Sequence, residues 1–232
     1  MPEPGCQYQL VIFTGALIFC LVNRVAGWTV PGTKCQTQQQ RWKWRNVTTS
    51  LVHSAITGTW APLAFYQAPD MQDDLIQRST YSCHALLSFS IGYFLYDALD
   101  MALYHRKRSS YELLLHHFVV VLCFTLAVTS RQYVAYGVLS LMMEINSVFL
   151  HTRQLFIITQ EPKSSMRYKT NALLNVATFL LVRILLVGWM IRWLTVHSVE
   201  IPFTHLTAGS LGLAVIFVMN IILLCRILSA DF

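Results

Sequence analysis

Seven apolar segments divide this chain of 232 residues, and they restrict its fold more than any other feature. They cover approximately residues 8–23, 47–67, 81–103, 111–129, 133–157, 171–195 and 203–227. A helix of about 20 apolar residues crosses the hydrocarbon core of a bilayer. Backbone exposed to lipid has to satisfy its own hydrogen bonds, so each segment is predicted to be a helix. The sequence therefore predicts an all-α polytopic membrane protein.

The composition excludes most other classes of protein. Only 12% of the residues are charged and 55% are hydrophobic, whereas a soluble domain has about 25% charged residues. The six cysteines form no CxxC pair, so neither a zinc site nor a disulfide framework is predicted. No metal or other cofactor is expected. The net charge is +6, but the charges lie at the ends of apolar segments. We interpret Arg41-Trp42-Lys43-Trp44-Arg45 as an interfacial belt and not as a nucleic-acid site.

The basic residues predict the orientation in the membrane. If all seven segments cross, 13 of the 17 Lys and Arg residues fall on one side and three on the other, and Arg183 lies within a segment. Because Lys and Arg accumulate in cytosolic loops, the N-terminus is predicted outside and the C-terminus in the cytosol. The first segment is either an uncleaved anchor, which we favour because no basic residue precedes it, or part of a signal peptide covering residues 1–27. Asn46-Val47-Thr48 is a glycosylation sequence on the predicted cytosolic side, and we expect it to be unmodified.

Four charged side chains are the least expected in the apolar segments. They are Asp97, Asp100, Glu144 and Arg183. Each costs roughly 2.5–3.5 kcal/mol at the bilayer centre on insertion scales, so we expect them to face one another or water. The interior would contain three carboxyl groups and one arginine, so their charges do not balance. Protonated carboxyls, charged histidines or a bound cation would each restore the balance, and the sequence leaves all three open.

Helical spacing places further polar residues on the same faces, because residues three, four or seven apart lie on one side of a helix. The groups with this spacing are Tyr93, Asp97, Asp100 and Tyr104; Ser140, Glu144, Ser147 and His151; Glu112 and His116, with His117 adjacent; and Thr49 and His53. They predict a polar cavity within the bundle. The alternative is that they only join helices through hydrogen bonds. His84 and His205 lie near segment ends and are interpreted as interfacial.

The spacing of Arg106-Lys107, Glu112 and His116-His117 resembles the TLC-domain family, the membrane family that contains the ceramide synthases. Glu144-Ile145-Asn146-Ser147-Val148-Phe149-Leu150 resembles a small branch of that family. The resemblance divides the chain into an N-terminal anchor helix with a cytosolic linker, residues 1–40, and a TLC domain, residues 41–232. It implies a six-helix TLC barrel with a lipid-accessible cavity, to which one N-terminal transmembrane helix is added.

The resemblance also implies site residues. In ceramide synthases the histidine pair serves acyl transfer from acyl-CoA to a sphingoid amine, so His116 and His117 would be catalytic here. The polar residues of the cavity would be His53, Asp97, Asp100, Glu144 and Arg183. Ceramide synthases carry two aspartates three apart downstream of the pair. This chain has Glu144 and Ser147 at that place, so ceramide synthesis is not expected.

Two functions remain open. The small branch implies a regulator of phospholipid acyl composition and membrane fluidity that limits the incorporation of long-chain polyunsaturated acyl chains. Its partners would be membrane lipids and their acyl chains, in the plasma membrane or alternatively in the endoplasmic reticulum. The second function is an acyl-CoA-dependent acyltransferase in which His116 or His117 is the general base or the acyl acceptor.

Two further classes are disfavoured. A seven-helix receptor has the same topology, but only about three residues join the fourth and fifth segments, and the intramembrane acids and histidines are unusual for it. A membrane di-iron desaturase needs several histidine boxes, and the chain has one adjacent histidine pair.

Overall fold

A computed structural model describes residues 4–104 and 108–231, and the described residues contain no strand. The α-helices are α1 Pro4–Ala26, α2 Gln38–Gln67, α3 Tyr81–Tyr104, α4 Arg108–Ser130, α5 Val134–Leu141, α6 Glu144–Ile158, α7 Met166–Phe179, α8 Leu186–Val196 and α9 Phe203–Asp231. Short 3₁₀ turns follow α1 and α2 at Gly27–Thr29 and Pro69–Gln72. A π-helix, Leu180–Leu185, joins α7 to α8. The pair Arg106-Lys107 lies outside the described residues.

Six helical runs of the described residues are long and apolar enough to cross a membrane. They are Gln7–Thr29, Tyr81–Tyr104, Tyr111–Ser130, Val134–Ile158, Met166–Val196 and Phe203–Asp231. The prediction of an all-α polytopic membrane protein is confirmed. The remaining long helix, α2, has 30 residues, about 45 Å at the rise of an α-helix. It is less apolar because one of its faces carries hydroxyls and His53, and the other helices bury that face.

Six helical runs form a closed ring, a set that includes α2 and leaves out α1. In this set α5 with α6 is one run, and α7 with the π-helix and α8 is another. In the order of their contacts, α2 packs against α3, α3 against α4, α4 against α9, α9 against α8 and the π-helix, α7 against α6, and α6 against α2. Helix α1 packs on the outside of this ring, against α3 and α2. The six-helix barrel with one added N-terminal helix is therefore confirmed.

Close backbone approaches at glycines hold α1 against α3 and α2 against α6. A Cβ atom on Gly92 would collide with the carbonyl oxygen of Ile12 and lie 2.8 Å from the backbone nitrogen of Ala16. A Cβ atom on Gly58 would lie 2.9 Å from the backbone nitrogen of Ile145. Small residues at such positions let membrane helices pack through van der Waals contact, because lipid supplies no hydrophobic drive for their association.

Helix α2 begins nine residues before the second apolar segment. Thr37 and Gln40 form a capping box: Thr37 Oγ1 accepts from the Gln40 backbone N–H at 3.2 Å, and Gln40 Oε1 accepts from the Thr37 N–H at 3.0 Å. This cap satisfies N–H groups of the first turn. The proposed interfacial belt therefore lies within a helix. Trp42, the second residue of the belt, is buried at 7% exposure, so that side chain contacts protein and is not exposed to a membrane interface.

Helix ends meet in a charged cluster at the predicted cytosolic side. Arg153 of α6 donates from Nε and Nη2 to the two carboxylate oxygens of Asp231 in α9, at 2.5 and 2.7 Å. The hydroxyl of Tyr168 in α7 donates to Asp231 Oδ1 at 2.7 Å. The cluster fixes three consecutive members of the ring at one end.

Candidate functional site

The ring encloses a cavity of about 910 Å³. All six helical runs of the ring contribute to its wall, the run Met166–Val196 through the π-helix and α8, and α9 lines it from His205 to Arg226. These 21 steps correspond to about 32 Å at 1.5 Å per residue. The cavity is therefore elongated along the helices. At one end Arg226 Nη2 lies 3.3 Å from Glu112 Oε2, in an exposed ion pair between α9 and α4.

Asp97 and His117 form the central polar pair of the site. His117 Nε2 lies 3.6 Å from Asp97 Oδ2, and both residues are buried. This separation exceeds that of a hydrogen bond, whereas Asn46 Nδ2 donates to Asp97 Oδ1 at 2.6 Å. The other ring nitrogen of His117, Nδ1, has no partner among the described residues. The ring of His116 also lines the cavity, with its centroid 5.7 Å from that of His117.

Glu144 and Arg183 lie on the same cavity wall with different partners. Glu144 Oε2 accepts from Ser54 Oγ at 2.6 Å. Arg183 donates from Nη2 to Ser147 Oγ at 2.8 Å and from Nη1 to Asn220 Oδ1 at 3.0 Å. The polar stripe of the fifth segment, which includes Glu144 and Ser147, thus faces the cavity along its length.

Two of the predicted cavity residues lie behind the wall. Asp100 Oδ2 accepts from Trp42 Nε1 at 2.8 Å, so this indole covers the carboxylate one helical turn beyond Asp97. His53 is fully buried, and its ring stacks on Tyr93 with the centroids 3.8 Å apart. Tyr93 itself lines the cavity. The helical faces are those expected, but neither Asp100 nor His53 reaches the cavity wall.

The structure adds residues to the site that sequence reasoning missed. Asn46, Ser54 and Asn220 each contact a predicted polar residue of the cavity. His205 was interpreted as interfacial, yet it lines the cavity and its Nε2 lies 3.1 Å from Ser130 Oγ. His84 is buried as well, with its ring stacked on Tyr8. An asparagine within a strongly apolar segment, such as Asn220, was a signal of an interior position.

The chemistry available in the cavity is that of an imidazole beside a carboxyl group. A neutral imidazole accepts a proton from a hydroxyl or an amine, and a nearby carboxylate stabilises the imidazolium that forms. Among the described residues, no group of three or more His, Cys, Asp or Glu side chains is arranged to hold a metal ion. The remaining wall is mainly aliphatic and aromatic, which suits hydrocarbon.

A closed ring of six helices around an elongated cavity, with a seventh helix outside, defines a polytopic membrane protein with an internal site. The sequence profile of the TLC domain matches residues 43–229, and the chain belongs to the TLC-domain family. It is 42% identical over 227 residues to TLC domain-containing protein 2 of Danio rerio, covering 97% of this chain and 91% of that protein.

Two further relatives support the assignment to the small branch. The human TLC domain-containing protein 2 is 36% identical over 193 residues, covering 83% of this chain and 73% of that protein. TLC domain-containing protein 1 of Gallus gallus is 28% identical over 194 residues, covering 82% of this chain and 75% of that protein. The family resemblance predicted from Glu112 and His116-His117 is confirmed.

Proposed function

We propose that this protein binds acyl chains of membrane lipids in its cavity and thereby regulates the acyl composition of phospholipids and membrane fluidity. Its effect would be to limit the incorporation of long-chain polyunsaturated acyl chains at the plasma membrane. The observation that carries the proposal is the shape and chemistry of the cavity: about 910 Å³, elongated, apolar over much of its length, and polar at His116, His117 and Asp97.

An amphiphile matches this arrangement. Apolar residues of α4, α8 and α9 line the cavity, among them Leu126, Ala127, Met190, Leu194 and Leu213. Pockets of roughly 300–1,000 Å³ hold small ligands through an apolar wall and a few polar groups that fix orientation. Here the wall would hold an acyl chain, and the histidine pair would lie beside its polar end.

Replacing the histidine pair tests this function in cells. Expression of the His116→Ala/His117→Ala double variant should leave phospholipid acyl composition as it is in cells without the protein, whereas the unmodified protein shifts it. The exchange removes polar rings from a cavity wall, so expression and membrane insertion should stay near normal. His197→Ala is the matched control, because His197 lies outside the cavity wall. A stable double variant with full effect on lipid composition would contradict the proposal.

A second function is favoured by the Asp97–His117 pair, namely acyl-CoA-dependent acyl transfer. In that reaction an imidazole removes the proton from a lysolipid hydroxyl, the oxygen bonds to the thioester carbonyl, and coenzyme A leaves and is protonated. Exclusion of water from the cavity would favour transfer over hydrolysis. Glu144 and Ser147 replace the two aspartates of ceramide synthases, so a hydroxyl acceptor is preferred to a sphingoid amine.

Purified protein distinguishes the two functions. Incubation with labelled acyl-CoA and mixed lysolipids should yield labelled phospholipid only if the protein is an acyltransferase. Asp97→Asn should then reduce the rate constant more than the affinity for acyl-CoA, because the carboxylate would act on the charged imidazole formed during transfer. Lipid binding without any labelled product would support the regulator alone.

A further inference from the structure

Arg183 lines the cavity and lies beside Asn220 of α9. It lies on the π-helix Leu180–Leu185, where the Leu186 N–H bonds back to the Leu181 carbonyl, five residues earlier. π-helical turns inside α-helices are rare and are frequent at functional sites. Both hydrogen-bonded partners of the guanidinium, Ser147 Oγ and Asn220 Oδ1, are neutral. The Asn220 amide also donates to the Arg183 carbonyl oxygen at 3.2 Å.

The guanidinium keeps unused donors. It has five N–H groups, and its hydrogen bonds to Ser147 and Asn220 use two of them. Its Nε is buried and has no partner among the described residues. No carboxylate oxygen of those residues lies within 4.0 Å of it. Glu144 lines the same cavity and acts on the guanidinium only from beyond ion-pair distance, and its Oε2 accepts from Ser54.

A cation within the membrane without an anionic partner is costly. Packing alone does not account for an arginine at this position, because a leucine would pack, or a glutamine hydrogen-bond, at a lower cost of insertion into the membrane. Ser147 and Asn220 orient the guanidinium through hydrogen bonds, its Cζ lies 5.7 Å from the centre of the Phe179 ring, and the residue lines the cavity. An anion bound there would use the free N–H groups in charge-assisted hydrogen bonds, which are about twice as strong as neutral ones.

The position of Arg183 along the cavity indicates the form of that anion. Its partner Asn220 is 15 residues from His205 on α9, which is about 22 Å along the helix axis. The wall between them is mainly apolar, and Met190, Leu213 and Ile216 belong to it. The space beyond the arginine therefore suits a hydrocarbon chain that runs toward His205.

We propose that Arg183, oriented by Ser147 and Asn220, binds the acidic head of a single-chain lipid, a carboxylate or a phosphate, whose chain extends toward His205. This inference rests on the proposed lipid-binding function and names the group that anchors the ligand. It places the acidic head on the same wall as Glu144 and within the cavity that His116 and His117 line.

Photolabelling of the purified protein tests the anchor. The probes are palmitic acid with a diazirine at the chain end, its methyl ester, and lysophosphatidic acid with the same chain. The acid or the lysophosphatidic acid should label residues near His205 about tenfold more than the ester does, as one charged hydrogen bond predicts. Preferential labelling by palmitic acid identifies a carboxylate as the ligand, and preferential labelling by lysophosphatidic acid identifies a phosphate.

Arg183→Gln should reduce labelling by the charged probe to the level of the ester. Arg183→Lys should keep an intermediate level, because it retains the charge and loses the planar fork. Arg192→Gln, an exposed arginine outside the cavity, should label like the unmodified protein. The ester comparison needs no substitution, so it decides the question even if Arg183→Gln fails to fold.

Equal labelling by ester and acid, or full labelling of Arg183→Gln by the acid, would overturn the anchor while leaving the cavity as a lipid site. Absence of labelling by all three probes in the unmodified protein would contradict the proposed function itself, and this inference with it.

Discussion

Asn46 is the residue that joins the two carboxyl groups of α3 to α2. Its amide donates to Asp97 at 2.6 Å and lies 3.5 Å from Asp100 Oδ2. Trp42, one turn earlier, donates to Asp100 at 2.8 Å. Two neutral donors of one helix thus hold two acids of the next, and the insertion penalty of the acids is offset by pairing within the protein.

Asn46→Ala should lower the free energy of unfolding in detergent by about 1.5–3 kcal/mol, the range for a lost hydrogen bond to a charged group. Asp97 would then lose its 2.6 Å donor. Thr48→Ala is the matched control on the same helix, because the buried Thr48 hydroxyl has no partner among the described residues. Thermal and denaturant unfolding of the two variants measure the difference, and equal stability would contradict this role of Asn46.

Most ionisable residues of the site could be predicted, whereas the neutral residues Asn46, Ser54 and Asn220 were missed. Asp97, Glu144 and Arg183 were identified because charge within an apolar segment is costly. Asn46 and Trp42 were missed because the polar beginning of α2 was placed outside the second segment. His53 and Asp100 were assigned to the correct helical face, but spacing along a helix does not reveal that His53 stacks on Tyr93 and that Asp100 is bonded to Trp42.

Helix α1 is the element whose packing against the ring depends most on small residues. It contacts α3 where Gly92 faces the backbone at Ile12 and Ala16, and backbone cannot move aside for a side chain as a flexible terminus can. Periodicity predicted both helices but not their contact. The π-helix around Arg183 was also beyond prediction, since a change of hydrogen bonding from i+4 to i+5 leaves no composition signal.

Gly92→Ala should destabilise the α1–α3 contact by about 1–3 kcal/mol, as overpacking does. Gly188→Ala is the matched control, because nothing lies within 4 Å of a Cβ atom built there. That control should be neutral or up to about 1 kcal/mol more stable, given the helix propensity of alanine. Unfolding temperatures in detergent compare the two, and an undisturbed Gly92→Ala protein would show that α1 packs differently.

For the molecule as a whole, the family resemblance implied a six-helix barrel with one added helix, whereas the order of the helices around the ring was not predicted and comes from their contacts. The orientation stays a prediction from charge: 13 of 17 basic residues fall on the assumed cytosolic side. A C-terminal tag should therefore be reached by antibody only after the plasma membrane is permeabilised. A tag that antibody reaches in intact cells, or a glycan on Asn46, would contradict the predicted orientation.

The proposed function requires that the cavity of the ring holds a lipid. Ser140 lines the cavity, so Ser140→Trp should fill part of it. Thr59→Trp is the matched control, because it puts the same ring on an exposed face of α2 outside the cavity. Native mass spectrometry of protein purified in mild detergent measures bound lipid directly. The unmodified protein and the Thr59→Trp variant should each carry an additional mass that matches a lipid with an acyl chain. The Ser140→Trp variant should lack this mass. Equal lipid retention by all three folded proteins would contradict the cavity as the binding site.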